Sequence, residues 1–132
     1  MFVPADSITK NTRIKTDICI IGGGAVGLAM AQYLNKSDTG VVVLESGNLN
    51  LDEQTQKLNQ FETDALPISV HSRRRAFGGT TKVWYGRWKP ADNIDFKNRA
   101  WVPNSGWPIT NKDLEPYYEL SAKLLGTPIS NF

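Results

Sequence analysis

Apolar positions change their rhythm several times along this chain, and each change marks an element. Ile18 to Ile21 is a short, β-branched apolar run, the pattern of a strand buried on both faces. A glycine cluster follows, then a helical stretch, and Val41 to Leu44 forms a second apolar run that reads as another strand. From Asn48 to Glu62 polar residues dominate, with Leu49, Leu51, Leu58 and Phe61 scattered among them, which predicts a short amphipathic helix near 51–62. Residues 63–109 show no clean period and are rich in Gly, Pro, Trp and Arg, so an irregular segment is expected there. Five large aromatics between Phe77 and Phe96 argue against disorder, because rings of that size seek a surface to bury on. The last element is a helix. Thr110 and Asp113 have the spacing of a capping box, Pro116 suits a first-turn position, and Leu114, Tyr118, Ala122 and Leu125 form one apolar stripe that stops at Gly126.

The glycine cluster carries chemistry. Gly22, Gly24 and Gly27 have the G-x-G-x-x-G spacing between a strand and a helix. The first glycine permits a tight turn, the second lets backbone approach a pyrophosphate, and the third lets helix and sheet pack closely, with Ala31 keeping the same face slim. Unpaired N–H groups at the helix start, with the partial positive charge of the helix end, suit phosphates. Glu45 ends the second strand, about 20 residues past the glycines, where a carboxylate accepts hydrogen bonds from ribose hydroxyls and repels a 2′-phosphate. The pattern predicts a Rossmann-like α/β start that binds an adenine dinucleotide.

Composition trims the alternatives. Hydrophobic residues make up 40% and charged residues 21% of 132 positions, ordinary for a soluble globular protein. A net charge of +2 gives no reason to expect nucleic acid as a partner. The single cysteine, Cys19, rules out a disulfide framework within the chain and reads as a small buried hydrophobe in the first strand. No His/Cys/Asp spacing suggests a metal site. Lys10, Arg13 and Lys15 followed by an uncharged run superficially imitate a secretion signal. Asp17 interrupts the flank and four glycines interrupt the run, so strand-turn-helix explains it better, and a cytoplasmic location is favoured. The run is also short of the ~20 residues a membrane span needs.

A second motif lies at 73–89, RRRAFGGTTKVWYGRWK. Gly78-Gly79 followed by Thr80-Thr81 is a turn that offers N–H groups and hydroxyls to an anion or a polar ring edge, with basic residues on both sides. Of Arg73 to Arg75, one residue near the ligand and two in solvent is the expectation. The βαβ start, Arg73 to Thr81 and Trp84-Tyr-Gly together resemble the glucose–methanol–choline (GMC) family of flavin oxidoreductases. Asp95-Phe96, Arg99, Gly106-Trp-Pro-Ile109, Asp113-Leu114 and Pro116-Tyr-Tyr118 extend the likeness over about 17–126, nearest to the sugar and polyol dehydrogenase and pyranose oxidase branch.

That resemblance implies oxidation of a CH–OH group, in an alcohol, sugar or polyol, with hydride passing to FAD. It implies that Gly22, Gly24, Ala25, Val26 and Gly27 face the FAD pyrophosphate and Glu45 the ribose. Ser46 and Gly47 would lie near the adenosine, and Arg75, Gly79, Thr80 and Thr81 towards the phosphates and isoalloxazine. The partners it implies are a small alcohol or sugar and an electron-acceptor subunit. Some relatives carry a histidine, in pyranose oxidases bonded to FAD, where this chain has Val83, so non-covalent FAD is expected. The family's catalytic histidine has no counterpart here, since His71, the only histidine, precedes the second motif. No catalytic residue is assigned, and the fragment is expected to be inactive alone.

The expected architecture is therefore a lead-in over 1–16 and an incomplete FAD-binding domain over 17–132: the βαβ start, a long flavin-contacting irregular segment and a C-terminal helix. Only two parallel strands are visible and Ile129 to Phe132 follows the helix directly, which predicts a fragment of a longer protein or a truncated gene product. Two readings stay open beside this one. Glu45 also permits an NAD-binding domain, and a truncated product without independent function predicts poor solubility.

Overall fold

The computed structural model describes residues 1–35, 38–64 and 66–128, so the tail at 129–132 lies outside the described residues. The fold is mixed α/β. It divides into two compact units, Met1–Trp84 and Tyr85–Phe132.

In the first unit β1 (Ile18–Ile21) and β2 (Val41–Leu44) pair in parallel, with Ile18 opposite Val41 and Ile21 opposite Leu44. A parallel pair needs a crossover, and α1 (Ala25–Leu34) supplies it. The ladder continues past both strand ends: Ile18 N–H donates to the Gly40 carbonyl at 3.1 Å and Gly22 N–H to the Leu44 carbonyl at 2.7 Å. Asp17 and Thr16 fix the entry to β2, the carboxylate accepting from Gly40 N–H at 2.8 Å and the hydroxyl donating to the Gly40 carbonyl at 2.7 Å.

The expectation of a strand buried on both faces does not hold. Ile20 is buried, whereas its neighbours Cys19 and Ile21 are exposed, Ile21 by 87%. Side chains alternate across a strand, so one covered face buries only every second residue. A continuous apolar run cannot show which face is covered. Cys19 is accordingly an exposed thiol rather than a small core residue. Among the described residues the buried apolar side chains are Ile20 and Ala76.

After β2 the chain forms α2 (Glu53–Gln56) and a 3₁₀ turn at Lys57–Asn59, a shorter helix than the 51–62 pattern predicts. Asp52 caps it: its carboxylate accepts from Gln54 N–H at 3.2 Å, from Thr55 N–H at 3.1 Å and from the Thr55 hydroxyl. These donors, the Thr55 hydroxyl first, hold the Asp52 carboxyl below the usual carboxylate value. The segment beyond is irregular as expected, with single 3₁₀ turns at Val70–Ser72 and Gly79–Lys82.

The second unit is built on α3 (Asn111–Leu125). Asp113 reaches back to accept from both the N–H and the hydroxyl of Thr110, each at 2.7 Å. Gly126 stops the helix in the left-handed region at φ 65°, and Thr127 N–H closes on the Ala122 carbonyl at 3.2 Å. Pro116 is the sixth helical residue rather than a first-turn one. It leaves the Lys112 carbonyl without the usual i→i−4 donor. Trp88 packs at a tilt beside Tyr118, ring centroids 6.4 Å apart, and its indole N–H donates to Thr127 at 3.1 Å. The expected burial of the 77–96 aromatics is realised only in part: Trp88 and Phe96 are half-buried, while Tyr85 is 98% exposed.

Candidate functional site

The two glycine turns meet. Gly78 N–H donates to the Gly23 carbonyl at 2.8 Å, and a Cβ on Gly79 would lie 3.1 Å from the Gly24 Cα. One strand-like bridge runs parallel between Asn48 and Ala76, and Phe77 N–H donates to the Asn48 carbonyl at 2.9 Å. Lys82 Nζ adds a 2.8 Å bond to the Leu49 carbonyl. The first turn, the end of β2 and the second turn thus form one cluster, joined by backbone.

Glycine is needed in this cluster for different reasons. At Gly27 a Cβ would fall 2.0 Å from the Gly22 carbonyl oxygen, so the helix start could not approach the turn. At Gly47 it would fall 2.2 Å from the Arg75 carbonyl oxygen and 2.6 Å from the Ala76 Cα. Gly47 therefore has a packing role where the sequence suggests only proximity to adenosine. Gly24 is different. It caps α1 at φ −78°, an ordinary backbone conformation, and a Cβ there would meet nothing within 4 Å. Neither strain nor packing calls for glycine at Gly24, and its Cα faces open space beside the unpaired N–H groups of α1. That is a place for a ligand's backbone-hugging group.

Glu45 sits at the junction. One carboxylate oxygen accepts from Gly23 N–H at 2.6 Å; the other accepts from Gly47 N–H at 2.7 Å and from the Ser46 hydroxyl at 3.3 Å. The acid expected to face a ribose also ties the β2 end to the first turn, and the oxygen bonded to Gly23 keeps acceptor capacity for a ligand hydroxyl. Ala25 and Val26 open α1, with Val26 exposed. In the second turn Thr80 accepts from Arg74 N–H at 3.1 Å, and the Thr81 hydroxyl donates to the Gly78 carbonyl. Both hydroxyls thus shape the turn itself.

The three arginines separate. Arg73 lies over the Phe61 ring at 5.0 Å, and Arg74 has a buried Nε without a hydrogen-bond partner. Arg75 is held: Nε donates to Asn59 Oδ1 at 3.1 Å and Nη1 to Ser46 Oγ at 2.9 Å. His71 is exposed, its N–H bonded to Ser69, away from the turns' contacts. Gln56 and Asn59 escaped the sequence reading. Two amides one helical turn apart, in a segment with few apolar residues, were the available signal.

An open cavity of 470 Å³ is lined by Phe2, Pro4 to Asp6 and Asn48 to Asn50, and no glycine-turn residue lines it. Among the described residues no group of His, Cys, Asp and Glu could hold a metal ion, and no helix is long and apolar enough to cross a membrane.

Fold and site together define a mixed α/β protein whose parallel strand pair carries two docked glycine turns. No family model matches the chain. It is similar to 6'''-hydroxyparomomycin C oxidase of Streptomyces lividus, 30% identical over 132 aligned positions that cover 83% of this chain. The chain spans 23% of that relative's length.

Proposed function

We propose that this chain is the FAD-binding portion of an oxidoreductase of the GMC type that acts on CH–OH groups. The observation that carries the reading is the docking of the second glycine turn on the first, around the open face of Gly24. An NAD site needs only the first turn; a second turn with fixed hydroxyls and arginines beside it has work to do against a flavin-bearing dinucleotide. Similarity to an oxidase supports the reaction class. The fit of the residues supports the cofactor. Gly22, Gly24, Ala25, Val26 and Gly27 would take the pyrophosphate, Glu45 to Gly47 the adenosine side, and Arg75 with Gly79 to Thr81 the phosphates and ring system.

Bound FAD supplies a ring that accepts hydride from the alcohol carbon. This chain's residues bind and orient: N–H groups at α1 would neutralise phosphate charge, Glu45 would accept from hydroxyls, and the second turn holds its backbone against the first. The group that takes the substrate's hydroxyl proton is not assigned to any residue of the chain, so the 132-residue protein is expected to bind FAD without turning over alcohols.

Titration of the purified chain with FAD and, separately, with NADH tests the reading. Quenching of flavin fluorescence with no NADH binding supports it. NADH binding without FAD binding contradicts it, as does alcohol oxidation by the chain alone.

A further inference from the structure

We propose that Gln56 and Asn59 are positioning residues that hold the Arg75 guanidinium, a cation without a direct ion pair, for an anionic group of the dinucleotide; the ligand named here rests on the FAD reading above. Both amides are nearly inaccessible, Gln56 at 0% and Asn59 at 7% exposure. A buried amide is costly unless its donors and acceptor are used. Here they are. Gln56 Nε2 donates to the Val70 and Arg73 carbonyls, and its oxygen accepts from Arg75 N–H at 3.1 Å. Asn59 Nδ2 donates to the same two carbonyls, at 3.5 and 3.2 Å, and its oxygen accepts from Arg75 Nε at 3.1 Å.

The pair therefore does two things. It grips the backbone before and within the arginine run, and it fixes the direction of one guanidinium. The direct partners of that guanidinium are neutral, Asn59 on one edge and the Ser46 hydroxyl on another, and that hydroxyl in turn donates to the Glu45 carboxylate at 3.3 Å. Among the described residues the salt bridge is Lys89 with Asp92, so Arg75 has no carboxylate within ion-pair distance. A half-buried arginine without a direct ion pair keeps donors for a further anion, and a planar guanidinium suits phosphate oxygens. Ser46, which completes the clamp, directly follows the acid that ties β2 to the first glycine turn. The cation is thus anchored beside the cluster of docked turns.

The test uses the whole 132-residue chain with two readouts. NMR without ligand follows hydrogen exchange at Arg75 Nε–H, and calorimetry measures dissociation constants for FAD and ADP. Slow exchange is expected in the wild type and fast exchange in Asn59→Leu. Affinity for FAD is expected to fall about tenfold in Asn59→Leu and in Arg75→Lys, with the double variant no weaker than Arg75→Lys alone. Additive losses in the double variant overturn the proposal, because Asn59 would then act independently of Arg75. If Asn59→Leu does not fold, the wild-type exchange rate and Arg75→Lys decide: slow exchange at Arg75 Nε–H together with weakened FAD binding in Arg75→Lys supports the proposal, and fast exchange or unchanged affinity overturns it. A wild-type chain that binds neither FAD nor ADP overturns the cofactor reading. The exchange rate then still judges the clamp, slow exchange supporting it and fast exchange overturning it.

Discussion

The two units of this chain are held by different kinds of contact. In Met1–Trp84 the decisive bonds join residues far apart in sequence: Gly78 to Gly23, Arg75 to Ser46, Gly23 to Glu45, Lys82 to Leu49. In the unit that starts at Tyr85 most side-chain bonds are local: Lys89 to Asp92, Asp92 to Asp95, Thr110 to Asp113, Tyr118 to Asn111. Trp88 to Thr127 is the long one. Large rings remain on its surface, Trp101 at 78% exposure among them. The lesson is that backbone closeness, not a large apolar core, specifies the candidate site, while the second unit is specified by helix ends.

The sharpest way to break this contrast is to add a single methyl group. Gly27→Ala puts a carbon 2.0 Å from a backbone oxygen, and Gly47→Ala puts one 2.2 Å from another. Neither neighbour is a flexible side chain, so each substitution is expected to cost about 3 kcal/mol, read as a fall in the urea midpoint. A near-neutral midpoint for both would mean that the backbone does not come this close at the start of α1 or beyond the end of β2.

Acid should touch the second unit more gently. The Thr110 hydroxyl, then the Thr110 N–H, hold the Asp113 carboxyl below the ordinary value of 3.8. A depressed folded-state pKa means that the stabilisation is complete above the unfolded value and is lost as pH falls through the folded one. The first turn of α3 is therefore expected to fray below pH 3.8, and not between neutrality and that point. Amide chemical shifts of residues 111–114, followed through an acid titration, check this. Fraying already at pH 5 to 6 would contradict it.

The sequence made legible whatever depends on residue type within a few positions. The strand pair, Gly27 as a close-approach glycine, the Thr110–Asp113 box and the Gly126 stop all carry short-range signatures, and the structure has each of them. Pro116 misled because a proline fits a first turn so well that its lodging in the sixth position is not suggested by its neighbours. Cys19 and Ile21 misled because an apolar run states composition, not which face is covered. Gln56 and Asn59 stayed hidden for a deeper reason. Their burial is decided by carbonyls at Val70 and Arg73, in a segment whose path has no periodic signal. The second glycine turn is legible from its flanking motif, yet that it sits on the first turn is visible only in three dimensions.

If the proposed reading is right, the space before Gly24 is kept for a dinucleotide and not for protein. Gly24→Ala tests it most directly, with stability and FAD affinity measured on the same preparation. The added methyl meets no protein atom within 4 Å, so stability should stay within about 1 kcal/mol of wild type, the scale of a helix-cap change. The dissociation constant for FAD should rise by at least about tenfold, because the methyl occupies the face the pyrophosphate must approach. A stable variant that binds FAD as well as wild type would contradict the account.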